Sequence, residues 1–214
     1  MHDVEEGIVS LDRRADYRYL DEMATTQQLM DADTFLARPE SPWREELIDG
    51  QLVVNEPTWR HQMAAIQIVR SLIGWIEGGD GTGRANIPVN LRISDRDVLS
   101  PDVLWYADAA RVALDAPAQL EPPDLVVEVR SQSTWRYDVG PKRERYERWG
   151  VGELWLVDGE SRTVRVCRRS SRAAPSFDVE LELGEDDAVR SPLLPGFELP
   201  VRAIFAVPGE RCSS

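Results

Sequence analysis

The amino-acid sequence predicts one mixed α/β domain, with helices packed against a mixed sheet and a β-meander toward the C-terminus. Three observations support this fold class. Short apolar runs are bounded by Gly, Pro and Asp, as strands commonly are. Two longer segments carry apolar residues at helical spacing, and the two kinds of segment alternate along the chain. A length of 214 residues is sufficient for one domain with a substantial core.

The first part of the chain divides into an extension and the start of the domain. Residues 1–24 show no clear periodicity and are expected to form a flexible extension. The domain is then expected to span residues 25–206, and a short tail follows at 207–214. Thr25-Thr26 predicts the cap of a helix that ends near Ala37.

The next elements are a hairpin, a long helix and a strand. Asp49-Gly50 lies between two apolar pairs and predicts a β-hairpin. Residues 60–77 have helical periodicity, and the glycines of 78–83 end that helix. Residues 86–93 alternate well enough to predict a strand, which a turn at 95–97 follows.

The central stretch predicts strands within 100–106, 123–131 and 153–158. Gly140 at the cap, Pro141 at the first helical position and a glycine after the end predict a helix at 141–149. A helix that joins two strands predicts a parallel, right-handed crossover.

The C-terminal part predicts a meander and a short helix. Strands are expected at 163–168 and 178–183, and they should pair with each other. Residues 191–197 form a turn-rich apolar segment, and residues 201–206 predict a last helix.

The charge of the chain limits its partners. A formal net charge of −13 argues against a general nucleic-acid binder, because phosphate contacts need clustered Lys and Arg. The charge is uneven, however, because eleven basic and seven acidic side chains lie between Val126 and Arg172, a local charge of +4. This count is compatible with a weakly basic patch around a site and equally with a solvated surface that has no partner.

Apolar run lengths, the first residues and the two cysteines indicate the cellular compartment of the protein and whether it enters a membrane. No apolar run approaches the length of about 18 residues that a membrane span needs. Residues 1–6 lack the basic and apolar regions of a signal peptide. Cys167 and Cys212 have no metal-ligand spacing and form no disulfide framework. We therefore expect a cytoplasmic protein with no membrane partner.

Two carboxylates lie in apolar surroundings. Asp102 follows Pro101 at the start of a strand, where an ordinary Pro-Asp turn is an alternative explanation. Glu128 is more informative, because apolar residues flank it in a strand that should be buried on both faces. An ionised carboxylate there needs a partner to offset several kcal/mol of desolvation. Glu128 is therefore either a metal ligand or half of a buried Glu–Arg ion pair.

Lys142 is the only lysine in the chain, against 24 arginines. It shares one face of the predicted helix with Tyr146 and Trp149. An amphipathic helix with a lysine that reaches solvent would explain the position. A chain that otherwise uses arginine for positive charge, however, suggests chemistry that needs a compact ammonium here.

Together these motifs resemble the PD-(D/E)XK nuclease superfamily and, more closely, its Uma-two family of restriction-endonuclease-like proteins. The shared residues run from the first hairpin to the closing apolar segment: 46–50, 52–54, His61, 100–102, 123–129, Ser131, Ser133-Thr134, Asp138, Lys142, Tyr146, Gly150-Val151, 155–158 and 191–196. The likeness spans about residues 25–206. It implies a restriction-endonuclease-like mixed sheet flanked by helices.

The resemblance also implies a metal-dependent endodeoxyribonuclease. Asp102 and Glu128, with the carbonyl of Val129, would hold Mg²⁺ or Mn²⁺, and Glu46 would add an outer ligand. Lys142 would orient the attacking water or steady the developing negative charge.

Two residues depart from the superfamily pattern. Arg130 occupies the usual lysine position, where it could grip a phosphate but could not act as a base. Gln132 replaces a proline that is usual in the family. His61 is too distant along the chain to place and is assigned a structural role.

Two hypotheses therefore remain from the sequence. The first is a metal-dependent deoxyribonuclease that binds DNA weakly, in a salt-sensitive way, and forms a homodimer. The second is a catalytically silent interaction or scaffolding protein with the same fold. Net acidity and Arg130 favour the second, whereas the complete set of Asp102, Glu128 and Lys142 favours the first.

Overall fold

Two sheets and a C-terminal hairpin make up the fold. The structure, a computed structural model, describes residues 29–39, 41–131 and 135–206. Its elements in chain order are α1 (Ala32–Leu36), β1 (Arg44–Ile48), β2 (Gln51–Asn55), α2 (Trp59–Glu77), β3 (Arg84–Asn86), β4 (Leu91–Ser94), β5 (Asp97–Leu99), β6 (Val103–Tyr106), β7 (Leu125–Val129), α3 (Trp135–Tyr137), a π-helical turn (Asp138–Lys142), α4 (Arg143–Trp149), β8 (Glu153–Asp158), β9 (Thr163–Arg168), β10 (Val179–Leu183), β11 (Ala188–Ser191), β12 (Leu194–Pro200) and α5 (Val201–Ile204).

The larger sheet has six strands in the order β10-β9-β8-β7-β6-β3. Only β7 and β8 are parallel, and the helical segment 135–149 connects them, as the sequence predicts for a crossover. The smaller sheet has the order β2-β1-β5-β4 and is antiparallel throughout. The mixed α/β fold class is therefore confirmed.

Alternation along the central strands separates two layers of core. Val127 and Val129 of β7 pack with the apolar face of α2 on one side of the large sheet. Val126 packs with Tyr146 of α4 on the other side. Because successive side chains of a strand point to opposite faces, Glu128 lies on the same face as Val126, beneath the helical segment. This alternation decides which groups can reach the glutamate.

Several elements match their sequence predictions. The Asp49-Gly50 turn joins β1 and β2, and both residues have positive φ, 54° and 76°, as a two-residue hairpin turn requires. Strands β8, β9 and β10 form the expected antiparallel meander. The turn-rich segment at 191–197 contributes to the hairpin of β11 and β12.

The strand expected at 86–93 is wrong. Its two ends belong to different sheets, with Asn86 in β3 and Leu91 in β4. Pro88 lies between them, and because proline has no N–H to donate to a ladder, pairing ends before it.

Two helix starts also differ from expectation. The first helix in the described part of the chain begins at Ala32, where Asp31 caps it by accepting a hydrogen bond from the Thr34 N–H at 2.7 Å. The second does not begin at Pro141, because the chain is already helical from Trp135. Pro141 lies inside the π-helical turn, whose wider path accommodates a residue without an N–H.

Some predictions lie outside the described residues. These are the extension at 1–24, the Thr25-Thr26 cap, Gln132 and the tail at 207–214. Among the residues that the structure describes, no helix combines the length and the apolar character needed to cross a membrane.

Candidate active site

Four segments of the chain bring five charged side chains together beneath the helical segment. Glu46 comes from β1, Asp102 from the residue before β6, and Glu128 from β7. Asp138 and Lys142 begin and end the π-helical turn. All five side chains are buried, with 1–2% of their surface exposed. This group is called the carboxylate cluster below.

Lys142 lies at the centre of three carboxylates. Its Nζ is 2.7 Å from Oε1 of Glu128, 3.0 Å from Oε1 of Glu46 and 3.1 Å from Oδ1 of Asp138. Burial by itself lowers the pKa of the ammonium, but Asp138, Glu128 and Glu46 together raise that pKa well above its ordinary value. Lys142 is therefore a fixed positive charge, and the alternative of a lysine that reaches solvent is wrong.

The pKa of Glu128 is strongly raised. Burial raises its pKa, Lys142 lowers it, and the negative charges of Asp138, Glu46 and Asp102 raise it again, to about 8. Its Oε1 accepts a hydrogen bond from the Tyr146 hydroxyl at 2.6 Å. The cluster therefore holds more negative charge than its own cations balance.

Asp102 has the opposite electrostatic environment. Burial raises its pKa, but the Arg44 guanidinium, the His61 ring and the Val129 N–H outweigh burial and lower the pKa to about 2. Arg44 contacts Oδ1 through Nη1, and the Val129 N–H donates to Oδ2 at 2.7 Å. Nε2 of His61 lies 3.3 Å from the same Oδ2. Asp102 is therefore ionised at neutral pH, whereas Glu128 gains or loses its proton close to neutral pH.

The structure adds two residues that sequence reasoning did not assign to the site. Arg44 is separated from Asp102 by 58 positions and reaches it because β1 pairs with β5, which leads into residue 102. Asp138 lies four residues before Lys142. That i, i+4 acid–base spacing was visible in the sequence and is a helical pairing signal.

The remaining predicted residues lie at the edge of the cluster. Arg130 contacts Asp158 at 2.7 Å and Glu160 at 2.9 Å, and its guanidinium lies 5.7 Å from the Trp135 ring centroid. Val129 contributes its N–H to Asp102. His61, which the sequence left as structural, borders the cluster through Asp102.

The donor set suits a hard divalent cation. Four buried carboxylates, those of Glu46, Asp102, Glu128 and Asp138, face two cations, the partly buried Arg44 and the buried Lys142. Fully ionised, they would carry a charge of −2, and oxygen ligands are those that Mg²⁺ and Mn²⁺ prefer. Within residues 29–39, 41–131 and 135–206, however, no three acidic, His or Cys side chains already converge as a metal-ligand group. The carboxylate oxygens are therefore suitable ligands for a divalent cation. In this structure, however, they are paired with Arg44 and Lys142.

Comparison with known proteins gives a family and a fold. The Uma2 family profile, described as “Putative restriction endonuclease”, matches residues 32–202. No curated protein matches the chain. A solved structure described as “a putative nuclease belonging to DUF820 from Anabaena variabilis ATCC 29413” is similar, with a TM-score of 0.70 and 20% sequence identity. The match covers 82% of this chain and 97% of that one, and at this identity it shows a shared fold.

Proposed function

Because the chain belongs to the Uma2 family, described as “Putative restriction endonuclease”, we propose that it is a metal-dependent endonuclease that hydrolyses phosphodiester bonds in DNA. The observation that carries the proposal is the buried cluster in which Asp102 and Glu128 have pKa values of about 2 and about 8. Oppositely perturbed carboxylates beside a lone buried lysine are typical of an active site.

The proposed ligands are Asp102, Glu128 and the carbonyl of Val129, with Glu46 as an outer ligand. When bound, Mg²⁺ or Mn²⁺ would polarise the phosphate and acidify the attacking water. Positive charge added beside Glu128 would also favour its ionised form, because opposite charges lower a carboxyl pKa.

Lys142 would act as a hydrogen-bond donor in this reaction. Its three carboxylate partners keep it protonated, so it is unsuited to accept a proton from water. Its ammonium can orient the attacking water or stabilise the negative charge that develops on the phosphate. Arg130 would bind a neighbouring phosphate through its Nε, because its terminal nitrogens already pair with Asp158 and Glu160.

Burial adds a requirement to the proposal. Asp102, Glu128 and Lys142 are each at most 2% exposed, so a phosphodiester can reach them only after the covering elements move. We therefore include an opening step before chemistry. We also propose a homodimer, since two centres would allow both strands of a duplex to be cut in a single encounter.

A second candidate function is a catalytically silent interaction protein. The specific observation in its favour is that Arg44 and Lys142 already pair with the buried carboxylates. The two functions differ in one assay, cleavage of supercoiled and linear DNA with Mg²⁺ or Mn²⁺ at low salt. Metal-dependent cutting that disappears in Asp102→Asn supports the nuclease, whereas no cutting under any of these conditions supports the silent protein.

A further inference from the structure

A cavity adjoins the carboxylate cluster. It has a volume of about 250 Å³ and lies between the start of α2, the end of β7, the turn after β8 and the end of α5. His61 and Val129 line it, and both also contact Asp102. The cavity and the candidate active site therefore share a wall.

His61 is a buried polar group with unused hydrogen-bonding capacity. The residue is 4% exposed, and neither ring nitrogen makes a hydrogen bond of acceptable geometry to any residue that the structure describes. Its Nε2 is 3.3 Å from Asp102, which leaves Nδ1 with no partner in the described chain. A buried polar atom without a partner destabilises the fold, and a ligand in the cavity that bonds to it would recover that loss.

Arg130 adds a second unused donor to the same cavity. Its two terminal nitrogens bind Asp158 and Glu160, but its Nε is buried and makes no hydrogen bond within the described residues. Arg60 and Arg162 also line the cavity, and Glu160 is the single acid in the lining. Arg162 also pairs with Glu185 outside the lining, and Glu160 is paired with Arg130. Three arginines against one glutamate in the lining, together with the unused Nε of Arg130, favour an anionic ligand.

The other part of the lining is apolar. Met63, Ala64, Ile204 and Phe205 contribute it. An inorganic anion would gain nothing from such a wall, whereas an anion with an attached apolar or planar group would bury surface against it. The volume lies slightly below the range of roughly 300–1,000 Å³ that is typical of small-ligand sites, which restricts the ligand to a single small unit.

We propose that this cavity binds one nucleotide of a DNA strand. The phosphate would accept hydrogen bonds from His61 and Arg130, and the sugar and base would pack on Met63 and Phe205. The proposal rests on the proposed function for the identity of the phosphate ester as DNA. Because Val129 lies on the shared wall, the bound nucleotide would flank the phosphate that is cut.

Direct binding measurements without metal test this proposal. Isothermal titration calorimetry in EDTA would compare a deoxynucleoside 5′-monophosphate with the free deoxynucleoside and with inorganic phosphate. We expect the nucleotide to bind at least about tenfold more tightly than either fragment, since only the nucleotide uses both parts of the lining. A short single-stranded oligonucleotide should compete with the mononucleotide for the same site.

Three variants and a control assign the site. His61→Phe and Arg130→Gln each remove a proposed donor and should weaken nucleotide binding about tenfold or more. Met63→Trp fills the cavity from a half-buried position, so it tests the site even if His61→Phe folds poorly. Arg190→Gln removes an exposed arginine that pairs with Glu198 outside this cavity, and it should bind as the wild type does.

The outcomes separate this proposal from the nuclease proposal. Wild-type protein that binds no nucleotide, or folded Met63→Trp and His61→Phe variants that bind it unchanged, overturns the nucleotide site. If the wild-type protein still cuts DNA with metal in either of these cases, the nuclease proposal holds and only the nucleotide site is rejected. Nucleotide binding that the variants remove, in a protein that cuts nothing with Mg²⁺ or Mn²⁺, upholds the site and rejects the nuclease.

Discussion

Nζ of Lys142 lies 2.7 Å from Oε1 of Glu128, and both side chains are almost completely buried. The glutamate belongs to β7 and the lysine to the π-helical turn, so the contact ties the central sheet to the helical segment that covers it. Glu128 nevertheless has a pKa of about 8, because burial and the surrounding carboxylates outweigh one ammonium. Repulsion between the negative charges of the carboxylate cluster therefore destabilises the folded protein.

The first prediction concerns pH and stability in EDTA. The folded pKa of Glu128, about 8, is above its ordinary value of 4.5, so the folded state holds the extra proton between these pH values. Stability should therefore fall as pH rises from about 4.5 to 8, by an amount on the order of a few kcal/mol. Glu128→Gln should flatten this slope in denaturant titrations at several pH values.

A matched control for that experiment is Glu182→Gln, which alters an exposed glutamate of β10. It should keep the wild-type dependence on pH. An equally steep loss of stability in Glu128→Gln would show that another group carries the effect.

The second prediction concerns Arg44 and metal affinity. Arg44 contacts the Asp102 carboxylate that we propose as a ligand, so a divalent cation must compete with it. Arg44→Gln should bind Mn²⁺ more tightly, by roughly tenfold, while the metal-free variant loses about 3–5 kcal/mol of stability because Asp102 is left without its cation. Calorimetric titration with Mn²⁺ measures the affinity.

Arg38→Gln serves as the control for Arg44. Arg38 pairs with Glu45 at 2.8 Å near the surface, so its loss should leave the affinity for Mn²⁺ unchanged. Weaker Mn²⁺ binding in folded Arg44→Gln would mean that the guanidinium supports the metal site instead of competing for it.

The third prediction concerns Lys142. Lys142→Arg preserves charge, but a planar guanidinium cannot take the position of a compact ammonium among three carboxylates. We expect turnover to fall by about 10²–10³, the range for the loss of one positioned hydrogen-bond donor to the developing negative charge. Metal-induced stabilisation should persist, because Lys142 is not a ligand. The measurement is single-turnover cleavage by this variant and by Arg130→Lys, side by side. Cleavage by Lys142→Arg at the wild-type rate would show that Lys142 takes no part in the chemistry.

The fourth prediction concerns salt. A net charge of −13 repels a polyanion, and the basic patch of about +4 offsets this only locally. Binding of random duplex DNA should be weak at low ionic strength and should fade quickly as salt is added. Fluorescence anisotropy across a salt series measures it, and tight binding that ignores salt would be inconsistent with this charge distribution.

Local sequence rules were sufficient for much of the fold. The positive φ angles of Asp49 and Gly50 produce the expected hairpin. The apolar context of Glu128 correctly indicated a buried carboxylate that needs a cationic partner. Periodicity could not show that the partner is a lysine instead of an arginine, because that depends on which helix covers the strand.

The other residues of the site could not be predicted, because contacts between distant parts of the chain bring them together. Arg44 reaches Asp102 only through the pairing of Leu47 with Val98, which no local pattern encodes. His61 meets Asp102 because α2 packs across the large sheet. The helix start at Trp135 was missed because Pro141 ordinarily marks a first helical position, and a π-helical turn overrides that rule here.

The central claim is that Asp102 and Glu128 together hold a divalent cation, and thermal unfolding with and without Mg²⁺ or Mn²⁺ tests it most directly. A ligand that binds only the folded state at a hundredfold excess over Kd stabilises it by about 2.7 kcal/mol, so the wild-type melting temperature should rise. Asp102→Ala and Glu128→Ala should each abolish that rise when each variant is compared with its own metal-free form. An equal rise in the wild type and in both variants would contradict the account.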